Sequence, residues 1–169
     1  MLFQNLSKII RGHYSALDRG NAFTPVISKA VIFFIFFAIP AAIGSILGII
    51  SPLTTNIVAP FVTVLGVLTG FSINAVLLLF RYSEDKSYEE EIQVVEQTRE
   101  VTLYSVFIGI VLVACMLVAA VLTQSDLFFG ELIEKTGSIL IYAATMHYFI
   151  TLLVIVHRLY SLLHGGTLQ

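Results

Sequence analysis

Apolar residues gather into four runs, roughly 27 to 50, 56 to 81, 101 to 123 and 138 to 160, separated by short polar stretches. Each run reaches the length, about 20 residues, at which an α-helix crosses a ~30 Å hydrocarbon core. The pattern predicts an all-α fold, an integral membrane four-helix bundle forming a single domain. Ahead of it, residues 1 to 20 place Leu2, Leu6, Ile9, Ile10, His13 and Leu17 near one face, and Gln4, Ser7, Lys8, Arg11, Ser15 and Asp18 largely elsewhere. That is the pattern of an N-terminal interfacial helix lying on the inner leaflet. Gly20 and Asn21 supply a stop, and Thr24 and Pro25 read as N-cap and first residue of span one.

Breaks and polar positions refine this outline. Pro40, inside span one, removes a backbone donor and is expected to kink it. The segment from Ser51 to Asn56 has no charge, and Pro60 is placed among the first four helical residues, whose amides lack partners in any case. Spans one and two therefore read as a tight helical hairpin. From Phe71 to Ile108 there is no Gly or Pro, and Ser83 to Ser87 is the only evident break. Tyr88, Ile92, Val95, Arg99 and Thr102 recur at helical spacing, so span three is expected to continue as an amphipathic cytoplasmic extension, with residues 82 to 100 as linker and stalk. A helix from about 88 to 123 measures ~54 Å and leaves ~20 Å beyond the membrane. Residues 124 to 137 alternate Asp126, Glu131 and Glu134 with Leu127, Phe128, Phe129, Leu132 and Ile133, which predicts an external loop anchored at headgroup level. Residues 161 to 169 are left as a tail.

Charge orients the bundle. Of the nine Lys and Arg residues, only Lys135 falls on the side of the external loop; Lys8, Arg11, Arg19, Lys29, Arg81, Lys86, Arg99 and Arg158 fall on the other. The positive-inside rule puts both termini and the middle loop in the cytoplasm, giving a multi-pass, N-in and C-in protein. A charged content of 12%, against about 25% in soluble domains, leaves no room for a separate soluble unit. The first run exceeds the ~7 to 15 residues of a secretory h-region and reads as a retained span. The lone Cys115 excludes an internal disulfide or a cysteine-based zinc cluster and reads as packing.

Enzymatic signatures are missing: there is no phosphate-binding glycine loop, no dinucleotide fingerprint and no His or Cys pair at metal-ligand spacing. The expectation is a non-enzymatic protein with no cofactor, no metal and no direct nucleic-acid contact. His157 and His164, flanking Arg158, read as interfacial anchors. No Asp, Glu, Lys or Arg lies in the middle of a span, which argues against ion-coupled transport. The exception among ionisable groups is His147, which shares a face with Ala144 and Thr151 and reads either as a buried hydrogen-bonding group or as a proton or ligand site. Small and polar residues form stripes: Gly44 and Gly48 with Ala41 and Ser45; Thr63, Gly66, Gly70 and Asn74; Thr102, Ser105, Gly109 and Ala119. Small residues let helices approach in lipid, and polar ones can bond across the interface. Gly44, Gly48, Gly66, Gly70, Asn74, Gly109 and His147 are therefore candidate packing or homo-oligomer residues. The pattern leaves open whether they serve one bundle or contacts between copies. Asn74 needs a partner, either within the bundle or in a ring of Asn side chains about an oligomer axis.

Seven of the eleven acidic residues, Glu84, Asp85, Glu89, Glu90, Glu91, Glu96 and Glu100, lie in the inner loop and stalk. Exposed contiguous acids are commonly a solvated face; here they are also the one strongly charged surface. Tyr88, Glu89, Glu90, Glu91, Ile92, Glu96, Arg99 and Glu100 are the candidate partner-binding residues.

Leu68-Thr69-Gly70-Phe71-Ser72-Ile73-Asn74, running into an apolar helix end, a charged linker and then Thr98-Arg99-Glu100-x-x-x-Tyr104-Ser105, resembles the KwaA family, the small four-span membrane subunits of Kiwa anti-phage defence systems. The resemblance covers most of the chain as topology and about forty residues as pattern. It implies an inner-membrane sensor that assembles as an oligomer, a tetramer, and works with a cytoplasmic DNA-binding effector of the KwaB type to block phage propagation. Two functions follow as expectations. The first is a sensor and scaffold that detects membrane perturbation during infection and recruits or licenses that effector. The second is a holin-like oligomeric pore that depolarises the cell, for which Thr63, Asn74, Thr102 and His147 provide little hydrophilic lining.

Overall fold

The computed structural model describes Ile10, Gly12 and His13, and residues 30–84, 89–124 and 131–163. It is all-helical. A π-helical turn, Phe34–Ala38, leads into α1 (Ile39–Ile50), followed by α2 (Thr55–Glu84), α3 (Glu89–Gln124) and α4 (Glu131–Leu163). Among the described residues, four stretches are long and apolar enough to cross a membrane: Ala30–Ile50, Asn56–Arg81, Val94–Val121 and Glu134–Tyr160. These establish a multi-pass membrane protein. Most of the N-terminal interfacial segment, the Thr24–Pro25 cap, Tyr88, the Asp126 to Gly130 stretch and the tail from His164 lie outside the described residues.

The packing order departs from the expected hairpin of spans one and two. Ser51 to Thr54 does form a short turn, with the Val58 amide donating to the Thr54 carbonyl at 3.0 Å to open α2. The helices on either side scarcely touch. α1 packs on α4, α2 packs on α3, and α3 packs on α4, giving the spatial order α2, α3, α4, α1. The reason is steric: the close-approach surface of α1 is used by α4. A Cβ built on Gly44 would stand 2.6 Å from the Ala143 backbone nitrogen, and one on Gly48 would meet the Ile139 backbone at 2.7 Å. The turn itself is pinned to α4. Ser138 Oγ accepts from the Leu53 amide at 2.9 Å, and the Tyr142 hydroxyl donates to the Ser51 carbonyl at 3.1 Å.

Three boundaries are corrected. Pro60 is the sixth residue of α2, beyond the amides that lack partners, so it withholds a bond from the Asn56 carbonyl at the exposed mouth of the helix. The stretch from Glu131 to Gly137 is not loop but the opening of α4. Acidic residues at a helix N-terminus suit the macrodipole, and the contacts of Ser138 and Tyr142 hold this end in place despite Gly137. Span three reaches back to Val94, and its extension is not a free stalk. Val95, Thr98, Val101 and Thr102 are buried, so the packed stripe runs through Thr98, one residue away from the expected Arg99.

Apolar side chains cover the outside, among them Phe33, Phe34, Val67, Val121 and Leu153. The interior joins Leu65, Val101, Leu112, Met116, Tyr148, Leu152 and Ile155.

Candidate functional site

In lipid a buried polar group has no water to turn to, so each must find a partner inside the protein. Most hydroxyls here do so locally. Thr69, Ser72, Thr98, Thr102, Thr145 and Thr151 each donate to the carbonyl four residues earlier in their own helix, at 2.7 to 3.1 Å. The polar stripes of α2 and α3 are thus largely satisfied within single helices. Bonds between helices fall to a few aromatic and imidazole groups.

The central one is His147, midway along Glu134–Tyr160. Its Nδ1 lies 2.8 Å from the Phe36 carbonyl oxygen. A carbonyl can only accept, so Nδ1 carries the proton, and in the neutral ring Nε2 accepts from the Tyr104 hydroxyl at 2.9 Å. The Phe36 carbonyl is offered for a chemical reason. Pro40 stands four residues on and has no N–H to return to it, and the chain at this point widens into the π-helical turn. His147 thereby ties the π-turn of span one, α3 and α4 together.

His13 joins the same cluster. His13 is wholly buried, its ring stacked on Tyr104 with centroids 4.0 Å apart and edge-on to Phe36 at 5.8 Å. Burial above all, then the charges of His147 and Arg158, lowers its pKa from the usual 6.5 to about 3, so the imidazole is neutral at physiological pH. Gly12 makes room for a neighbour: a Cβ there would meet the Glu100 carboxyl carbon at 3.0 Å. A second contact point lies between α2, α3 and α4. The Thr69 and Tyr148 hydroxyls are 3.3 Å apart, and a Cβ on Gly109 would run into Thr69 Oγ1 and lie 3.1 Å from the Tyr148 hydroxyl.

The remaining candidates divide. Gly44, Gly48 and Gly109 are close-approach points within this chain. Gly66 and Gly70 are not: nothing lies within 4 Å of a Cβ built on either. Asn74 is exposed and, among the described residues, makes no side-chain hydrogen bond. Thr63, Gly66, Gly70 and Asn74 therefore line the outward face of α2. On α3, Glu89, Glu90 and Glu91 form the first turn, Ile92 is exposed, and Glu96 accepts from Arg99 at 3.2 Å. The Arg99 guanidinium covers the Phe80 ring of α2 at 5.2 Å. Arg99 is thus engaged by this chain's own helices, and Glu100 stands beside Gly12. Tyr88 lies outside the described residues.

The sequence pattern did not single out Phe36, His13 or Tyr104 as a cluster. The one local signal was Pro40, whose spacing of four from Phe36 marks the carbonyl that needs an outside donor. Among the described residues no three His, Cys, Asp or Glu side chains converge as a metal group would require. Comparison of the chain with protein-family models, with curated proteins and with solved structures gives no match.

Proposed function

We propose that this chain is a non-enzymatic sensor and scaffold of the bacterial inner membrane, which registers membrane perturbation during phage infection and recruits a cytoplasmic DNA-binding effector. The observation that carries the reading is the unbroken α3, a 36-residue helix. At 1.5 Å per residue it is ~54 Å long, and it links the membrane interior around Tyr104 to the acidic turn Glu89 to Glu91 without a hinge. A displacement of the bundle would move that turn as a rigid body. The resemblance to the KwaA family supplies the defence context and the tetrameric state.

Assembly is assigned to the outward face of α2. Gly66 and Gly70 are open to close approach by a second helix, and the Asn74 amide needs a partner that lipid does not supply. The inward-facing Gly44, Gly48 and Gly109 are already used, which narrows the oligomer surface to one helix. The local bonding of the interior hydroxyls favours a packed scaffold over the holin-like pore, because each donor is already spent on a carbonyl of its own helix.

Two measurements on the purified protein test this. Affinity-tagged protein expressed from its native locus should retain a soluble DNA-binding protein, and reconstituted liposomes should hold an ion gradient. Liposomes that leak in proportion to the protein added, with no soluble protein retained, would replace the scaffold by the pore.

A further inference from the structure

We propose that the bundle is a pair of hinged jaws, the first span with α4 and α2 with α3, joined at the Ser51 to Thr54 end and able to part at the other. The Tyr104 to His147 and Tyr148 to Thr69 contacts are the clasp between them. The inference goes beyond the sensor reading, because it follows from how this chain's own helices are connected and packed. Between Ala30 and Leu163 the chain passes from one jaw to the other twice, from α1 to α2 through Ser51 to Thr54 and from α3 to α4 between Gln124 and Glu131. Successive spans alternate in direction, so both crossings fall at the same end of the bundle. At the opposite end the chain joins α2 to α3, between Glu84 and Glu89, within a single jaw. The crossing end is also pinned. The Leu53 amide donates to Ser138 Oγ, the Tyr142 hydroxyl donates to the Ser51 carbonyl, and the Tyr142 ring meets Phe61 of α2 edge-on at 6.0 Å.

Packing divides the helices in the same way. Within the first jaw, backbones approach so closely at Gly44 against Ala143 and Gly48 against Ile139 that no acyl chain can enter, and His147 Nδ1 donates to the Phe36 carbonyl at 2.8 Å. Within the second, Gly109 admits Thr69, and the Arg99 guanidinium covers Phe80 at 5.2 Å. Between the jaws, α3 meets α4 through side chains: Val101, Leu112 and Met116 share a cluster with Leu152 and Ile155. Acyl chains replace such apolar neighbours at little cost, whereas a hydroxyl drawn into lipid loses its partner outright. The polar contacts therefore decide whether the seam is closed. The Tyr104 hydroxyl donates to His147 Nε2 at 2.9 Å. The Tyr148 hydroxyl donates to Thr69 Oγ1 at 3.3 Å, the Thr69 proton being spent on the Leu65 carbonyl. Both contacts lie well inside the spans, and the His13 ring stands between Tyr104 of one jaw and Phe36 of the other. About 27 Å of α4 separates Ser138 at the hinge from Val156, so a rotation of about 10° would part the free ends by ~5 Å. The acidic turn Glu89 to Glu91 is carried at the free end of one jaw. Parting of the jaws moves it away from the end of α4.

The test is pulsed electron double resonance on the full-length protein in nanodiscs, with nitroxide pairs in a Cys115→Ala background. Val94→Cys with Val156→Cys, both exposed, spans the jaws towards their free ends. Leu78→Cys with Val94→Cys, and Phe33→Cys with Val156→Cys, each report on a single jaw. Tyr104→Phe combined with Tyr148→Phe keeps both rings and removes only the hydroxyls of the clasp. In that variant the distance between the labels at Val94 and Val156 should lengthen by ~5 Å, with both distances inside the jaws unchanged. His147→Gln, whose amide can donate to the Phe36 carbonyl and accept from Tyr104, should keep the parent's distances. If circular dichroism shows that the combined variant has lost helix, Tyr104→Phe and Tyr148→Phe are measured singly, with a smaller shift of the same sign expected. An unchanged distance across the jaws in the clasp variants, or an equal lengthening inside them, overturns the inference. No readout here involves a soluble partner, so the sensor reading can fail while the jaws stand, and the reverse.

Discussion

His147 Nδ1 donates to the carbonyl oxygen of Phe36 across 2.8 Å, four residues before a proline that cannot fill that acceptor itself. The defect in span one and the imidazole in span four are thus complementary, and each accounts for the other's position in the membrane. His147→Phe should leave both the Phe36 carbonyl and the Tyr104 hydroxyl without their partner and destabilise the fold by about 1 to 2 kcal/mol. Pro40→Ala restores an N–H at the fortieth residue. In that background the cost of His147→Phe should fall by about 0.5 to 1 kcal/mol, a coupling that a double-mutant cycle measures. Steric-trapping or thermal unfolding in detergent gives the values; strictly additive costs would mean that Phe36 and His147 do not depend on one another.

The glycines separate into two groups with opposite expected phenotypes. Gly44→Ala drives a methyl group into the Ala143 backbone, which cannot rotate away. It should destabilise the monomer by about 1 to 3 kcal/mol, the usual range for overpacking. A Cβ at Gly70 has no atom of its own chain within 4 Å, so with Gly70→Leu the fold should be unaffected while the oligomer dissociates. Thermal melts and light scattering on the two variants report the two effects. A Gly70→Leu protein of unchanged mass would clear the α2 face of any role in assembly.

How far the sequence alone reached is clear from particular residues. Span two reads as 56 to 81 in the sequence, and the apolar stretch of α2 is Asn56–Arg81, because lipid demands continuous apolar length and that is written directly in composition. The length of α3 is legible from the run without Gly or Pro that ends at Ile108 and from the apolar run that continues through Gly109 beyond it. The partner of α1 was not legible. Gly44 and Gly48 announced a close approach, but nothing in a small-residue stripe says which helix makes it, so the neighbour in sequence was expected where α4 was found. His147 stood out as an ionisable group within a span, yet its partners lie 43 and 111 residues away, at Tyr104 and Phe36. Such pairings depend on helix order and rotation, which local spacing does not encode. By its spacing His13 belongs to an interfacial face, whereas in the structure it is wholly buried; a single imidazole on an apolar stripe gives no measure of depth.

The distribution of basic residues predicts an orientation that labelling can check. Single cysteines at Ser87 and Gln124, in a Cys115→Ala background, should behave oppositely towards an impermeant maleimide applied to intact spheroplasts. The cysteine at the 124th residue should react from outside, and the one at the 87th should react only after the membrane is opened. The reverse pattern would place eight basic residues outside and leave Lys135 within, against the charge rule.

The acidic turn that opens α3 is the last test, and it bears on function most directly. Glu89, Glu90 and Glu91 stand at a helix N-terminus, where negative charge is already favoured by the macrodipole. Changing all three to Gln preserves side-chain size and helical propensity while removing three charges, at a stability cost of about 1 kcal/mol or less. Exposed charges steer a partner's approach and register more than they set its final affinity, and their attraction is screened within ~8 Å at physiological salt. Recruitment of a basic cytoplasmic partner by the parent protein should therefore weaken as salt is raised from about 50 to 300 mM. The triple variant should recruit poorly at both concentrations, with membrane insertion and oligomer size unchanged. Because Arg99 and Glu96 already bond to one another and Arg99 also covers Phe80, their substitution should disturb the α2–α3 pair instead and lower stability along with binding. Equal retention of the partner by parent and triple variant at low and high salt would make the acidic turn a solvated helix end and move the docking surface elsewhere.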